Sequence, residues 1–216
     1  MKITKLVHSC LIVEVDGKKA LIDPGVYSWD SGLIADDLLR EIDYVCITHE
    51  HPDHFHLDFC KAVYEFSPNA LWFSVPHVAN KLVEMGIEAH ETSELTDVQF
   101  IQSKHANLDP WFAQQPQHTS FVIFKDLLVS GDHQDHTEMH GATVMAGAIN
   151  GGPWGAVIGA VAMIEKMKIR PKVYIPLHDW HWNEQARVGF YERAGIVMND
   201  FNVRFIPIVN AVPIEI

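Results

Sequence analysis

The reading of this chain turns on the stretch Tyr44-Val45-Cys46-Ile47-Thr48-His49-Glu50-His51-Pro52-Asp53-His54. The short apolar run Tyr44–Ile47 is predicted to be a buried strand. It runs straight into four potential metal ligands: His49, His51, Asp53 and His54. In extended backbone alternate side chains point to the same side, so His49 and His51 can converge. Pro52 blocks a helix from running through the segment. A helix starting beyond it leaves Asp53 and His54 free to face a second position. One loop could therefore feed two neighbouring metals. The plain alternative is a polar strand-to-helix turn, which does not call for so dense a ligand set.

Working outward, Leu11–Val15 and Ala20–Ile22 flank Asp16-Gly17, a hairpin signal between β-prone runs. Apolar residues from Leu33 to Ile42 recur at helical spacing. Leu57–Phe66 reads as a helix ending before Ser67-Pro68, Leu71–Phe73 as a strand, and Pro76–Met85 as a helix stopped by Gly86. Phe100-Ile101, Phe121–Phe124 and Leu127–Val129 are strand-like, and the polar, aromatic stretch Asn107–His118 reads as a loop. Strands over Thr143–Ile149, Val173–Ile175 and Val203–Ile206 alternate with helices over Ala156–Met167 and Glu184–Arg193. No linker or fixed-period repeat divides the chain, so residues 1–216 are read as one domain. The predicted fold class is α/β (α+β): two sheets with helices outside, a four-layer αββα sandwich.

The chain has 216 residues and a formal net charge of −12, with 14 histidines. The negative balance disfavours a phosphate-backbone partner, so no nucleic acid is expected. Neutral imidazole is the commonest metal ligand, and the histidine surplus points the same way as the motif. Cys10, Cys46 and Cys60 form no C-x-x-C pair, which fits reduced thiols and a cytoplasmic protein. No signal peptide is read at the start. The uncharged run from Gly141 to Ile164 is long enough for a bilayer, but Asn150-Gly151-Gly152-Pro153 breaks it into a strand, a turn and a buried helix. No integral membrane segment is expected.

Thr48-His49-Glu50-His51-Pro52-Asp53-His54 resembles the metal-binding signature of the metallo-β-lactamase-fold hydrolases. The resemblance continues in order along the chain. Leu21-Ile22-Asp23-Pro24-Gly25 resembles the early Asp that braces the metal loop, although Asp23 also suits a simple turn. His105 falls where the family places a third His, with His90 and His118 as competitors. Ser130-Gly131-Asp132 resembles the strand-end Gly-Asp that supplies a bridging carboxylate, with Asp135 as the competitor. Ile175-Pro176-Leu177-His178 resembles the final Pro-x-His, with His181 nearby. His133 departs from the small hydroxyl residue usual after Gly-Asp. His133, His136 and His140 read as a solvated His-rich loop, a further metal site being the alternative. Val7-His8-Ser9 and Ser74-Val75-Pro76 narrow the likeness to the small ascorbate-6-phosphate-lactonase-like subgroup, where His8 lies near the substrate or is a buried strand residue.

The resemblance implies a binuclear metal-dependent hydrolase of this fold. His49, His51 and His105 would hold one metal, Asp53, His54 and His178 the other, and Asp132 would bridge them. A donor set of nitrogen and oxygen alone suits two Zn²⁺, with Mn²⁺ or Fe as alternatives. A metal-bound hydroxide would cleave an ester, lactone or phosphodiester bond in a small-molecule substrate. Asp53 is the expected catalytic residue, orienting the nucleophile and carrying a proton to the leaving group. Trp111, Phe112 and Trp154 are candidates for lining the pocket. A non-catalytic metal-binding or regulatory module and a nuclease are the competing readings. A homo-oligomer stays open.

Overall fold

The computed structural model describes residues 1–106, 115–150 and 158–216. The described residues build two sheets. The first contains β1 (Lys2–Lys5), β2 (Leu11–Val15), β3 (Lys18–Ile22), β4 (Tyr44–Ile47), β5 (Leu71–Ser74), β6 (Ala89–His90) and the C-terminal β13 (Ile214–Glu215), in the order β13-β1-β2-β3-β4-β5-β6. The second contains β7 (Val98–Gln102), β8 (Thr119–Ile123), β9 (Leu127–Val129), β10 (Val144–Ala148), β11 (Val173–Leu177) and β12 (Arg204–Phe205), in the order β12-β11-β10-β9-β8-β7. The helices are α1 (Val26–Trp29), α2 (Leu57–Phe66), α3 (Pro76–Glu84), α4 (Ile158–Lys166) and α5 (Glu184–Asp200).

Strand alternation explains the layers. Leu11, Val13, Tyr44 and Cys46 of the first sheet share one buried cluster with Phe121, Val129, Ile175 and Leu177 of the second. The intervening Ile12, Val45 and Ile47 point the other way, onto Phe59, Val63 and Leu82 of α2 and α3. Leu128, Met145 and Tyr174 likewise pack on Met163 of α4 and Met198 of α5. Both faces of each sheet are thus covered, which is why these strands read as continuous apolar runs. The four-layer αββα sandwich expected from sequence is the observed architecture.

Local signals place most boundaries. Asp16 and Gly17 both take positive φ, 50° and 79°, as a tight hairpin between β2 and β3 requires. Pro76 sits at the start of α3, where its missing N–H costs nothing. The Asn183 side chain caps α5 by accepting from Ala186 N–H at 2.9 Å. The helix read over Leu33–Ile42 shrinks to one 3₁₀ turn, Asp36–Leu39. Ser67 explains the early exit, because its hydroxyl donates to Leu39 O at 2.7 Å and accepts from Ile42 N–H at 3.0 Å, satisfying the freed backbone. None of the helices among the described residues is long and apolar enough to cross a membrane.

One ionic contact ties the first strand to the far end of the second sheet. Lys5 of β1 is buried, with Nζ 2.7 Å from Asp179 Oδ1. Tyr191 of α5 donates its hydroxyl to the other oxygen at 2.5 Å. Burial pushes the Lys5 pKa down, against the pull of Asp179. Removing one partner of a buried pair strands the other charge, so Lys5→Met should cost about 3–5 kcal/mol in urea unfolding. Lys5→Met with Asp179→Leu should recover part of that loss. A single variant as stable as the parent would refute this account.

Candidate metal centre

Six strands bring the site together at one edge. Within the first sheet β1, β3 and β4 run the same way, because β2 is antiparallel to both β1 and β3, and β3 is parallel to β4. Within the second, β7 and β9 run alike through antiparallel β8, and β9, β10 and β11 are parallel. His8, Asp23, His49, His105, Asp132 and His178 each follow the carboxyl end of one of these strands by one to three residues. Crevices outside the carboxyl ends of parallel strands are where such sheets bind ligands.

Asp23 organises the motif loop. Its Oδ1 accepts Thr48 N–H at 2.7 Å, and its Oδ2 accepts the Thr48 hydroxyl at 2.9 Å and His54 Nδ1–H at 2.8 Å. Because the Thr48 hydroxyl donates to Asp23, its oxygen is left to accept His49 Nδ1–H at 3.0 Å. His105 Nδ1–H goes to Ala106 O at 2.7 Å, and His178 Nδ1–H to Asn150 Oδ1 at 3.1 Å. Each of these four rings therefore has its Nδ1–H held by the protein and its Nε2 turned to the site, where His178 Nε2 meets Asp53 Oδ2 at 3.1 Å. Held orientation of this kind is what a metal-ligating imidazole needs.

The ligand atoms fall into two groups, each within 4.8 Å: His49, His51, His105 and Asp132, and His8, Asp53, His54 and His178. Asp132 faces both. Its Oδ2 is 3.2 Å from His105 Nε2 and 3.3 Å from His178 Nε2, and its Oδ1 is 3.2 Å from His54 Nε2. His105 Nε2 and Asp132 Oδ1 are nonetheless buried without a hydrogen-bond partner. Orphaned buried polar atoms are rare and need an explanation. Convergent lone pairs and carboxylate oxygens of this kind fit divalent cations.

The electrostatics agree. Burial, helped by the neighbouring His54, holds the His49 pKa well below the usual imidazole range, and burial with His105 lowers that of His51. Both rings are neutral and ready to ligate. Burial alone would lower the His54 pKa, but Asp132, Asp23 and Asp53 together reverse this and hold it well above its usual value. Burial would raise the Asp53 and Asp132 carboxyls, yet His54 and His178 beside them keep both low and ionised.

All seven residues expected as ligands lie in these two groups. His90 does not, being on the edge strand β6 with its ring against Phe73. His118 lies behind the site. Its Nε2 accepts Asp132 N–H at 3.1 Å and its Nδ1–H meets Ser103 Oγ at 2.8 Å, so it steadies Asp132 from the backbone. His181 stands beside the second group, its ring 5.4 Å from that of His8. Asp135 is exposed. The loop of His133, His136 and His140 is not solvated throughout. His136 is buried, with Nε2 3.2 Å from Ser120 Oγ, and burial lowers its pKa to about 3. Trp111, Phe112 and Trp154 lie outside the described residues. Sequence reasoning missed the Lys5–Asp179 anchor, which joins residues at opposite ends of the chain.

Residues 2–178 match the beta-lactamase superfamily domain family. Protein Rv0786c of Mycobacterium tuberculosis is 30% identical over 94% of this chain and 96% of its own. A UPF0173 metal-dependent hydrolase of Flavobacterium johnsoniae is 25% identical over 61% of this chain and 62% of its own. The structure of a metallo hydrolase from Ignicoccus hospitalis superposes with a TM-score of 0.64, covering 100% of this chain and 98% of its own at 19% identity. At that identity the likeness is one of fold.

Gly131 offers a local test of the site's construction. Its φ is +54°, and a Cβ there would lie 2.6 Å from His118 Nε2 and 2.9 Å from Thr48 Cβ. Gly17 has φ +79° with nothing within 4 Å. Gly17→Ala should cost only the backbone strain, about 1–2 kcal/mol. Gly131→Ala should add an overpacking penalty of about 1–3 kcal/mol. Chemical denaturation of both variants checks the difference, and equal losses would contradict the contact with His118.

Proposed function

The chain belongs to the beta-lactamase superfamily, in the metallo-β-lactamase fold of metal-dependent hydrolases, and on that premise we propose that it uses two metal ions to hydrolyse an ester, lactone or phosphodiester bond in a small-molecule substrate. His49, His51 and His105 would hold one ion, Asp53, His54 and His178 the other, with Asp132 between them. The observation that carries this reading is the pair of facing donor groups with Asp132 within reach of both, and four imidazoles held so that Nε2 faces the site. Donors of nitrogen and oxygen alone suit Zn²⁺, and Mn²⁺ or Fe would also fit.

When bound, the ions supply Lewis acidity and bring the pKa of water down to about 7. The chain's own residues do the rest. Asp53 is the more accessible of the two carboxylates, 18% exposed against 5% for Asp132. Held ionised by its imidazole neighbours, Asp53 can accept a hydrogen bond from an attacking water and orient it. Asp132 is enclosed and anchored through its backbone, which suits a fixed structural ligand. The strongly negative net charge favours a small substrate over a polynucleotide.

The test joins elemental analysis to a panel of lactone, ester and phosphodiester substrates. About two metal equivalents per chain are expected, with turnover of one substrate class lost to a chelator and restored by metal. A protein that takes up no metal, or turns over none of the panel when loaded, would count against the proposal. Asp132→Ala should lose one equivalent and about 100-fold or more in rate, since a metal contributes several kcal/mol of transition-state stabilisation. Asp135→Ala, at an exposed position, should stay within about twofold of the parent. The reverse pattern would place the ligand at Asp135.

A further inference from the structure

His8 belongs to the second donor group by distance, yet its hydrogen bonds run opposite to those of its neighbours. Trp180 N–H donates to His8 Nδ1 at 3.2 Å. That bond needs the lone pair on Nδ1, so the proton of the neutral ring sits on Nε2. Nε2–H in turn donates to Asp53 Oδ2 at 3.0 Å. His49, His54, His105 and His178 instead direct Nδ1–H into the protein and turn Nε2 to the donor groups, His178 Nε2 lying 3.1 Å from the same Asp53 Oδ2. For His8 to offer Nε2 to a cation, its Nδ1–H would have to face the Trp180 N–H.

The surroundings hold the ring in this state. His8 is buried and has φ of 60°, a left-handed conformation that costs a non-glycine residue about 1–3 kcal/mol. Its backbone oxygen accepts His178 N–H at 3.2 Å, and its ring packs on that of His178 at 4.1 Å. The turn after β1 thereby grips both Asp53 and the His178 loop through one residue.

We propose that His8 is a positioning residue and not a metal ligand: locked as the Nε2–H tautomer between Trp180 N–H and Asp53, it fixes the Asp53 carboxylate for the second cation. This rests on reading the two donor groups as metal sites. Partners that orient a ligand in this way typically contribute about 10–100-fold to metal affinity.

The first test is the imidazole nitrogen spectrum of the unaltered, metal-free protein labelled with ¹⁵N, which reports the tautomer without any substitution. Nε2–H is expected for His8, and Nδ1–H would overturn the proposal. The second is a competition titration with Zn²⁺ against a chromophoric chelator, on the parent, His8→Phe and His8→Gln, with circular dichroism to confirm folding. His8→Phe should weaken one of the two equivalents about 10–100-fold and leave the other unchanged. His8→Gln places an amide N–H as far along the side chain as Nε2 and should restore affinity to within about threefold of the parent. Unchanged binding by His8→Phe would sink this proposal alone. A glutamine variant as weak as the phenylalanine one would make His8 a ligand. No Zn²⁺ uptake by the parent would sink the reading of the site itself, and this proposal with it.

Discussion

The carboxylate of Asp23 is the contact on which the rest of the site depends. It stands one residue past β3, takes φ of 47° and is buried. With its two oxygens it binds the backbone and hydroxyl of Thr48 and the ring of His54. The parallel pairing of β3 with β4 puts it opposite the start of the motif loop, where Asp23 N–H also bonds Cys46 O at 3.0 Å. One buried charge thus sets the direction of two imidazoles, His54 directly and His49 through the Thr48 hydroxyl. An unpaired carboxylate at that depth would be costly, and its three hydrogen bonds offset the cost.

The same logic of assigned protons runs through the whole cluster. Fourteen histidines in one chain could repel one another or scatter their tautomers. Here burial keeps His49 and His51 neutral, and the carboxylates concentrate positive charge at His54. Backbone and side-chain acceptors then choose which nitrogen of each ring faces the site. His118 shows the alternative use of an imidazole, with both nitrogens spent inside the protein to hold Asp132 and meet Ser103. Position in space alone would not separate it from His49, whose ring is only 5.1 Å away.

Rigidity comes from strain and close packing at the loops. His8, Asp23 and His178 all adopt left-handed backbone, which the surrounding contacts must enforce. A Cβ on Gly25 would collide with the Asp53 carbonyl, so the absence of a side chain there lets the Asp23 and Asp53 loops touch. The buried Lys5–Asp179 pair pins the residue after His178 to β1. Candidate ligands from four strands can then hold fixed relative positions although none lies within regular structure.

The sequence by itself determined the alternating layers, the hairpin at Asp16-Gly17, the helices on either side of β5 and the local candidate ligand set His49, His51, Asp53 and His54. These follow from periodicity, turn chemistry and spacing, which are properties of neighbouring residues. Resemblance extended the set to His105, Asp132 and His178, and the structure gathers them at the same edge. Tertiary structure alone separated His105 from His118, buried His136 in a loop read as solvated, and cut the Leu33–Ile42 helix to one turn under the Ser67 hydroxyl. It alone paired Lys5 with Asp179 and gave His8 its proton on Nε2. Each of these depends on partners between 14 and 174 positions away in sequence, and which nitrogen or charge is satisfied is fixed only when those partners meet.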